Sequence, residues 1–168
     1  MCEYSAQLSK QASPLALPGA LRVLVVDDNV DAGQSLGMLL GVEGHEVLVC
    51  SHPHEALAAA PAFGPDVCIL DIGLPAMSGH DLARALRAGG LTRAVFIAAT
   101  GYGSEAARQA SAAAGFALHL TKPVDPARLL EQLSLVRERT ASVPPRATPQ
   151  ASGGSPMNPS ARSVGVSL

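Results

Sequence analysis

The sequence predicts an α/β fold, a doubly wound parallel sheet built as a (βα)5 unit between two loose tails. Three observations predict it. Short β-branched or apolar runs alternate with stretches of helical spacing through the middle of the chain. Several runs are apolar on both sides, as in a sheet covered on either face. The links are short, so each helix crosses over, right-handed, to the next parallel strand.

The first strand is expected at 22–26, and a helix at 31–42 places Leu36, Leu39 and Leu40 on one side before Gly44 stops it. A strand at 46–50 leads to a short helix at 54–60 behind Pro53. The run 67–70 is the third strand, and the helix at 79–88 carries Leu82, Ala85 and Leu86 up to Gly89-Gly90. A fourth strand at 94–99 precedes an Ala-rich helix at 104–114, with Ser104 as N-cap and Gly115 just past its end. The fifth strand is 118–121. The last helix, 126–139, has Asp125 as cap, Pro126 at its first position, and Leu129, Leu130, Leu133 and Val136 inward.

The 168 residues make one domain plus spare length. Its expected bounds are 21–140, after a polar, Pro-punctuated, flexible lead-in at 1–20. Half of the 28 residues from 141 to 168 are Pro, Ser or Gly, a composition that cannot offset its ordering entropy, so this tail is expected to be disordered. A net charge of −2 with no basic run argues against DNA or RNA as partner. Cys2, Cys50 and Cys68 form no CxxC pair and read as reduced thiols, two of them buried in strands. His45, His52, His54 and His80 are scattered, without metal-ligand spacing. Met38, Met77 and Met157 are expected in packing or loops. No apolar run approaches a membrane span, and Pro14 and Pro18 interrupt the lead-in's short apolar stretch, so neither membrane nor signal peptide is expected and the location is cytoplasmic.

In an open parallel sheet, ligands bind beyond the carboxyl ends of the strands. Four of the five expected strands deliver a polar group there: Asp27 and Asp28, Asp71, Thr100 and Lys122. Two carboxylates about 4 Å apart repel by roughly 4 kcal/mol at an effective dielectric of 20, so three together call for a cation. A hard divalent ion such as Mg²⁺ suits oxygen ligands of this kind. Lys122 adds a second positive charge, and Thr100 can donate to an added phosphate oxygen. Such a set suits an acyl phosphate, formed when the carboxylate attacks phosphorus.

In these features residues 22–139 resemble a receiver domain of two-component signalling, the flavodoxin-like module of response regulators. The matching elements are Asp27-Asp28, Asp71, Thr100 with Gly101, Lys122-Pro123, and the stretch from Asp71 through Gly73, Leu74 and Pro75 to Gly79. The resemblance implies strand order 2-1-3-4-5 and a phosphoacceptor at Asp71. It implies Mg²⁺ held by Asp28, Asp71 and the Gly73 carbonyl, with Asp27 acting through water, and Thr100 and Lys122 on the phosphoryl group. The implied donor is a phosphohistidine of a histidine kinase or a histidine phosphotransfer protein. Where the family often has Tyr or Phe, three residues before the Lys, this chain has His119. It is either an ordinary exposed histidine or, with Thr100, a switch whose response depends on pH. Gly73 offers no side chain to orient a hydrolytic water, and Tyr102 either shields the phosphoryl group or faces solvent; slow self-dephosphorylation is expected.

No output domain is expected after residue 139, so the chain reads as a stand-alone receiver, a switch or phosphate shuttle rather than an enzyme. Its downstream protein partner is expected at the face formed by 94–139. Two other readings are weaker. A haloacid-dehalogenase-like phosphatase carries a second acid two residues after its nucleophile, where this chain has Gly73. A phosphorylation-independent pseudo-receiver would not need all five polar groups.

Overall fold

The computed structural model describes residues 19–141. All but the inner ends of the expected lead-in and tail, with Cys2 and Met157, lie outside the described residues. The elements run β1 (Arg22–Val26), α1 (Val30–Val42), β2 (Glu46–Cys50), α2 (Pro53–Phe63), β3 (Val67–Asp71), α3 (Gly79–Ala88), β4 (Val95–Thr100), α4 (Glu105–Ala113), β5 (Leu118–Thr121) and α5 (Pro126–Ala141). All neighbouring strands are parallel, in the order β2-β1-β3-β4-β5. This is the expected flavodoxin-like topology.

Strand side chains alternate between faces, and the apolar runs therefore feed two cores. Leu24, Val26, Cys68, Leu70 and Phe96 meet Ala56 and Ala60 of α2 and Leu82 and Leu86 of α3. Val23, Val25, Ile69 and Ile97 meet Leu40 of α1 and Leu129, Leu133 and Val136 of α5. Each fully buried leucine contributes about 2 kcal/mol by leaving water. The sheet is thereby fixed between two helical layers, and its carboxyl edge becomes a rigid platform.

Some local details differ from expectation. Helix α1 starts at Val30, because Asn29, whose Oδ1 accepts from Ala32 N at 3.1 Å, caps it ahead of Asp31. Helix α2 does not stop at residue 60 but runs through Pro61. Proline gives up one intrahelical hydrogen bond there, while continuing the helix packs Phe63 on the core. Gly64, at φ 62°, then ends it by donating to Ala60 O at 2.8 Å. Met38 stands 70% exposed on α1 instead of packing. The strand at the sheet edge, β2, is only half-buried. Cys50 and Cys68 are buried free thiols. Among the described residues no helix is long and apolar enough to cross a membrane.

Candidate functional site

Strand order reverses at β1, which lies between β2 and β3. A crevice opens there at the carboxyl edge. Asp27 follows β1, Asp71 and Thr100 end β3 and β4, and Lys122 follows β5. The structure brings these groups together. Lys122 Nζ lies 2.7 Å from Asp27 Oδ2 and 2.6 Å from Asp71 Oδ2. Asp27 and Asp71 are buried, and Asp28 beside them is exposed. Burial by itself pushes the Lys122 pKa down, but hydrogen bonds and charge from Asp27 and Asp71 outweigh it and raise it above the usual value. The ammonium is thus held charged between two acids.

The second oxygens are fixed by backbone. Asp27 Oδ1 accepts from Asn29 N at 3.0 Å, and Asp71 Oδ1 accepts from Gly73 N at 2.8 Å. The loop after Asp71 turns back sharply: Gly79 N donates to Ile72 O at 3.1 Å, and a Cβ on Gly79 would sit 2.2 Å from Asp71 O. Only glycine tolerates that approach, so the helix α3 can start directly behind the acceptor loop. The Lys122–Pro123 peptide is cis. A cavity of about 380 Å³, lined by Leu36, Leu39 and Val124 among others, reaches Asp27, Asp71 and Lys122.

One oxygen from each of Asp27, Asp28 and Asp71 lies within 4.8 Å of the others, a hard all-oxygen donor set that can hold a divalent cation. Thr100 is 1% exposed, and its Oγ1 accepts from Tyr102 N at 3.2 Å. Tyr102 itself is 72% exposed. Of the two readings of His119, an exposed histidine or a switch with Thr100, the first is not what the structure places there. It is partly buried, with Nδ1 3.0 Å from Ser111 Oγ and Nε2 3.0 Å from the Tyr102 carbonyl. Sequence reasoning did not single out Ser111, and it set its further partner His80 aside as one of several scattered histidines. A serine in an otherwise Ala-rich helix was the available signal.

Comparison with known proteins agrees with this architecture. The family model described as the response regulator receiver domain matches residues 23–134. An uncharacterized 14.6 kDa protein of Leptolyngbya boryana is 38% identical over 128 residues, covering 74% of this chain and 94% of its own. The transcriptional regulatory protein KdpE of Mycobacterium tuberculosis is 40% identical over 121 residues, covering 71% of this chain and 53% of its own length. The match thus spans about half of that regulator. Among solved structures, the chemotaxis protein CheY4 of Vibrio cholerae aligns with a TM-score of 0.65 and 31% identity, over 70% of this chain and 98% of that one. With a matching family model over most of its described residues and an acidic crevice at the sheet's switch point, the chain belongs to the response regulator receiver domain family of two-component signalling.

Proposed function

We propose that the chain accepts one phosphoryl group on Asp71 from a phosphohistidine of a histidine kinase or histidine phosphotransfer protein. The observation that carries this is the ammonium of Lys122 joined to two buried carboxylates from different strand ends, with Asp28 close by. An Asp71 oxygen attacks phosphorus, the P–N bond of the donor breaks, and the donor imidazole leaves. Lys122 exchanges its contact with the carboxylate for one with the incoming phosphoryl oxygens. Thr100 donates its hydroxyl proton to another. Asp28, Asp71 and the Gly73 carbonyl, with Asp27 through water, are the residues that would hold Mg²⁺, whose bound charge offsets that of the transferring group. Residues 21–140 form the receiver, and its response passes through the 94–139 face to a protein partner in the cytoplasm. Gly73 beside the acceptor, in place of a second acid, disfavours a phosphatase of haloacid-dehalogenase type.

The test is incubation of the full chain with acetyl phosphate and Mg²⁺, read by intact mass. Wild type gains one phosphoryl group that persists well beyond seconds, and Asp71→Asn gains none. No added mass on wild type, or steady turnover of small phosphate esters, overturns the proposal.

A further inference from the structure

A chain of polar groups leaves the crevice and crosses two helices. Tyr102 N donates to Thr100 Oγ1 at 3.2 Å, and the Tyr102 carbonyl lies 3.0 Å from His119 Nε2. His119 Nδ1 lies 3.0 Å from Ser111 Oγ, which lies 3.3 Å from His80 Nε2 on α3. Ser111 is 1% exposed.

The proton positions follow from what each group can do. A carbonyl only accepts, so His119 carries a proton on Nε2. Neutral His119 then accepts at Nδ1, and the single hydroxyl proton of Ser111 points there. His80 in turn donates from Nε2 into Ser111. One arrangement satisfies the whole chain, as buried polar groups require. A proton added at His119 Nδ1 turns the Ser111 hydroxyl around toward His80, which must move its own proton to Nδ1. It also makes His119 a charged donor, which grips the Tyr102 carbonyl more tightly.

We propose that His80, Ser111 and His119 are positioning residues for phosphoryl transfer to Asp71. A proton on His119 fastens Tyr102, and through its N–H the Thr100 hydroxyl, so acidification slows the transfer. This rests on the phosphoacceptor reading above. The charged groups at this seam are Asp81 and Arg84, flanking His80, and Arg87, which reaches across to the Ala114 and Gly115 carbonyls. Glu105 and Arg108 of α4 lie on its exposed side. Burial first, then Arg84, lowers the His80 pKa against the opposing charge of Asp81, which favours a neutral His80.

The test measures the rate of phosphorylation by acetyl phosphate, with saturating Mg²⁺, from pH 8 down to about 5.5, across the imidazole range. Wild type, Ser111→Ala and His119→Phe are compared, and each rate is divided by that of His119→Phe to remove changes in the donor and acceptor. The wild-type ratio is expected to fall about threefold or more on acidification. Ser111→Ala moves the midpoint of that fall. A flat ratio, or a Ser111→Ala protein with an altered rate and an unmoved midpoint, overturns the inference. Imidazole ¹⁵N NMR gives an independent readout: His119 carries its proton on Nε2 at neutral pH, and finding it on Nδ1 overturns the chain. If wild type takes up no phosphoryl group, the phosphoacceptor reading fails, and the NMR result still decides the proton chain.

Discussion

Replacing Lys122 by methionine keeps most of the side-chain bulk and removes the charge between two buried acids. Both Asp27 Oδ2 and Asp71 Oδ2 lie within 2.7 Å of the same nitrogen, which puts them no more than about 5.4 Å apart. Two unit charges about 5 Å apart repel by about 3 kcal/mol at an effective dielectric of 20. The Lys122 side chain is 26% exposed, so water screens part of this. The expected loss is about 2 kcal/mol, a sizeable share of a typical domain's stability. Urea unfolding of the full chain in EDTA measures it. Millimolar Mg²⁺ restores most of the loss, because a cation again joins the acids. A second substitution, Asp27→Asn, does so without metal, because it removes one of the two charges. If Lys122→Met and the double variant lose the same amount in EDTA, the cost lies in packing and the electrostatic reasoning is refuted.

Gly79→Ala drives a Cβ to within 2.2 Å of the Asp71 carbonyl and is expected to cost about 2 kcal/mol or more, whereas Gly41→Ala, with nothing within 4 Å, gains about 0.5–1 kcal/mol; the reverse order in urea melts contradicts this. His45 Nδ1 accepts from Leu21 N at 3.2 Å, and burial first, then Arg137, lowers its pKa against the pull of Glu43. As pH falls through about 6.5 the unfolded chain takes up its proton first, so this stability is full above that pH and declines until the folded pKa is passed. His45→Gln flattens that stretch of the pH–stability curve, and an unchanged slope speaks against the assignment. Burial pushes the Cys68 thiol up to about 12 and the Cys50 thiol up to about 11, the latter helped by Glu55. Peptide mass spectrometry after alkylation at mild alkaline pH is expected to find both unmodified until the chain unfolds; rapid native labelling is the contrary result.

The strands were legible because a covered parallel sheet leaves a strong mark: runs such as Val67 to Leu70 have no polar side to disguise them, whereas their order was implied only by the resemblance to receiver domains. The polar rim was legible for the complementary reason, that a charged residue directly after such a run has one place to go. Helix ends were less so. Asn29 and Asp31 are both good starts, and only the backbone decides between them. Pro61 reads as a stop, and it takes the tertiary contact of Phe63 to carry α2 past it. Partnerships between elements far apart in sequence were invisible. Arg87 over the Phe96 ring at 4.1 Å depends on how α3 lies on β4, and His80 beside Ser111 on how α3 and α4 meet, which no local pattern encodes.

Arg87 gives α4 an asymmetry. Its Nη1 and Nη2 hold the Ala114 and Gly115 carbonyls at 2.7 and 2.6 Å, latching the far end of the helix to α3. The near end, by contrast, begins at Ser104 in the exposed segment that follows Thr100. A lever clamped at one tip swings most at the other. Over the nine residues of α4, about 13 Å of rise, a small tilt about the guanidinium clamp becomes a displacement of the loop beside the crevice.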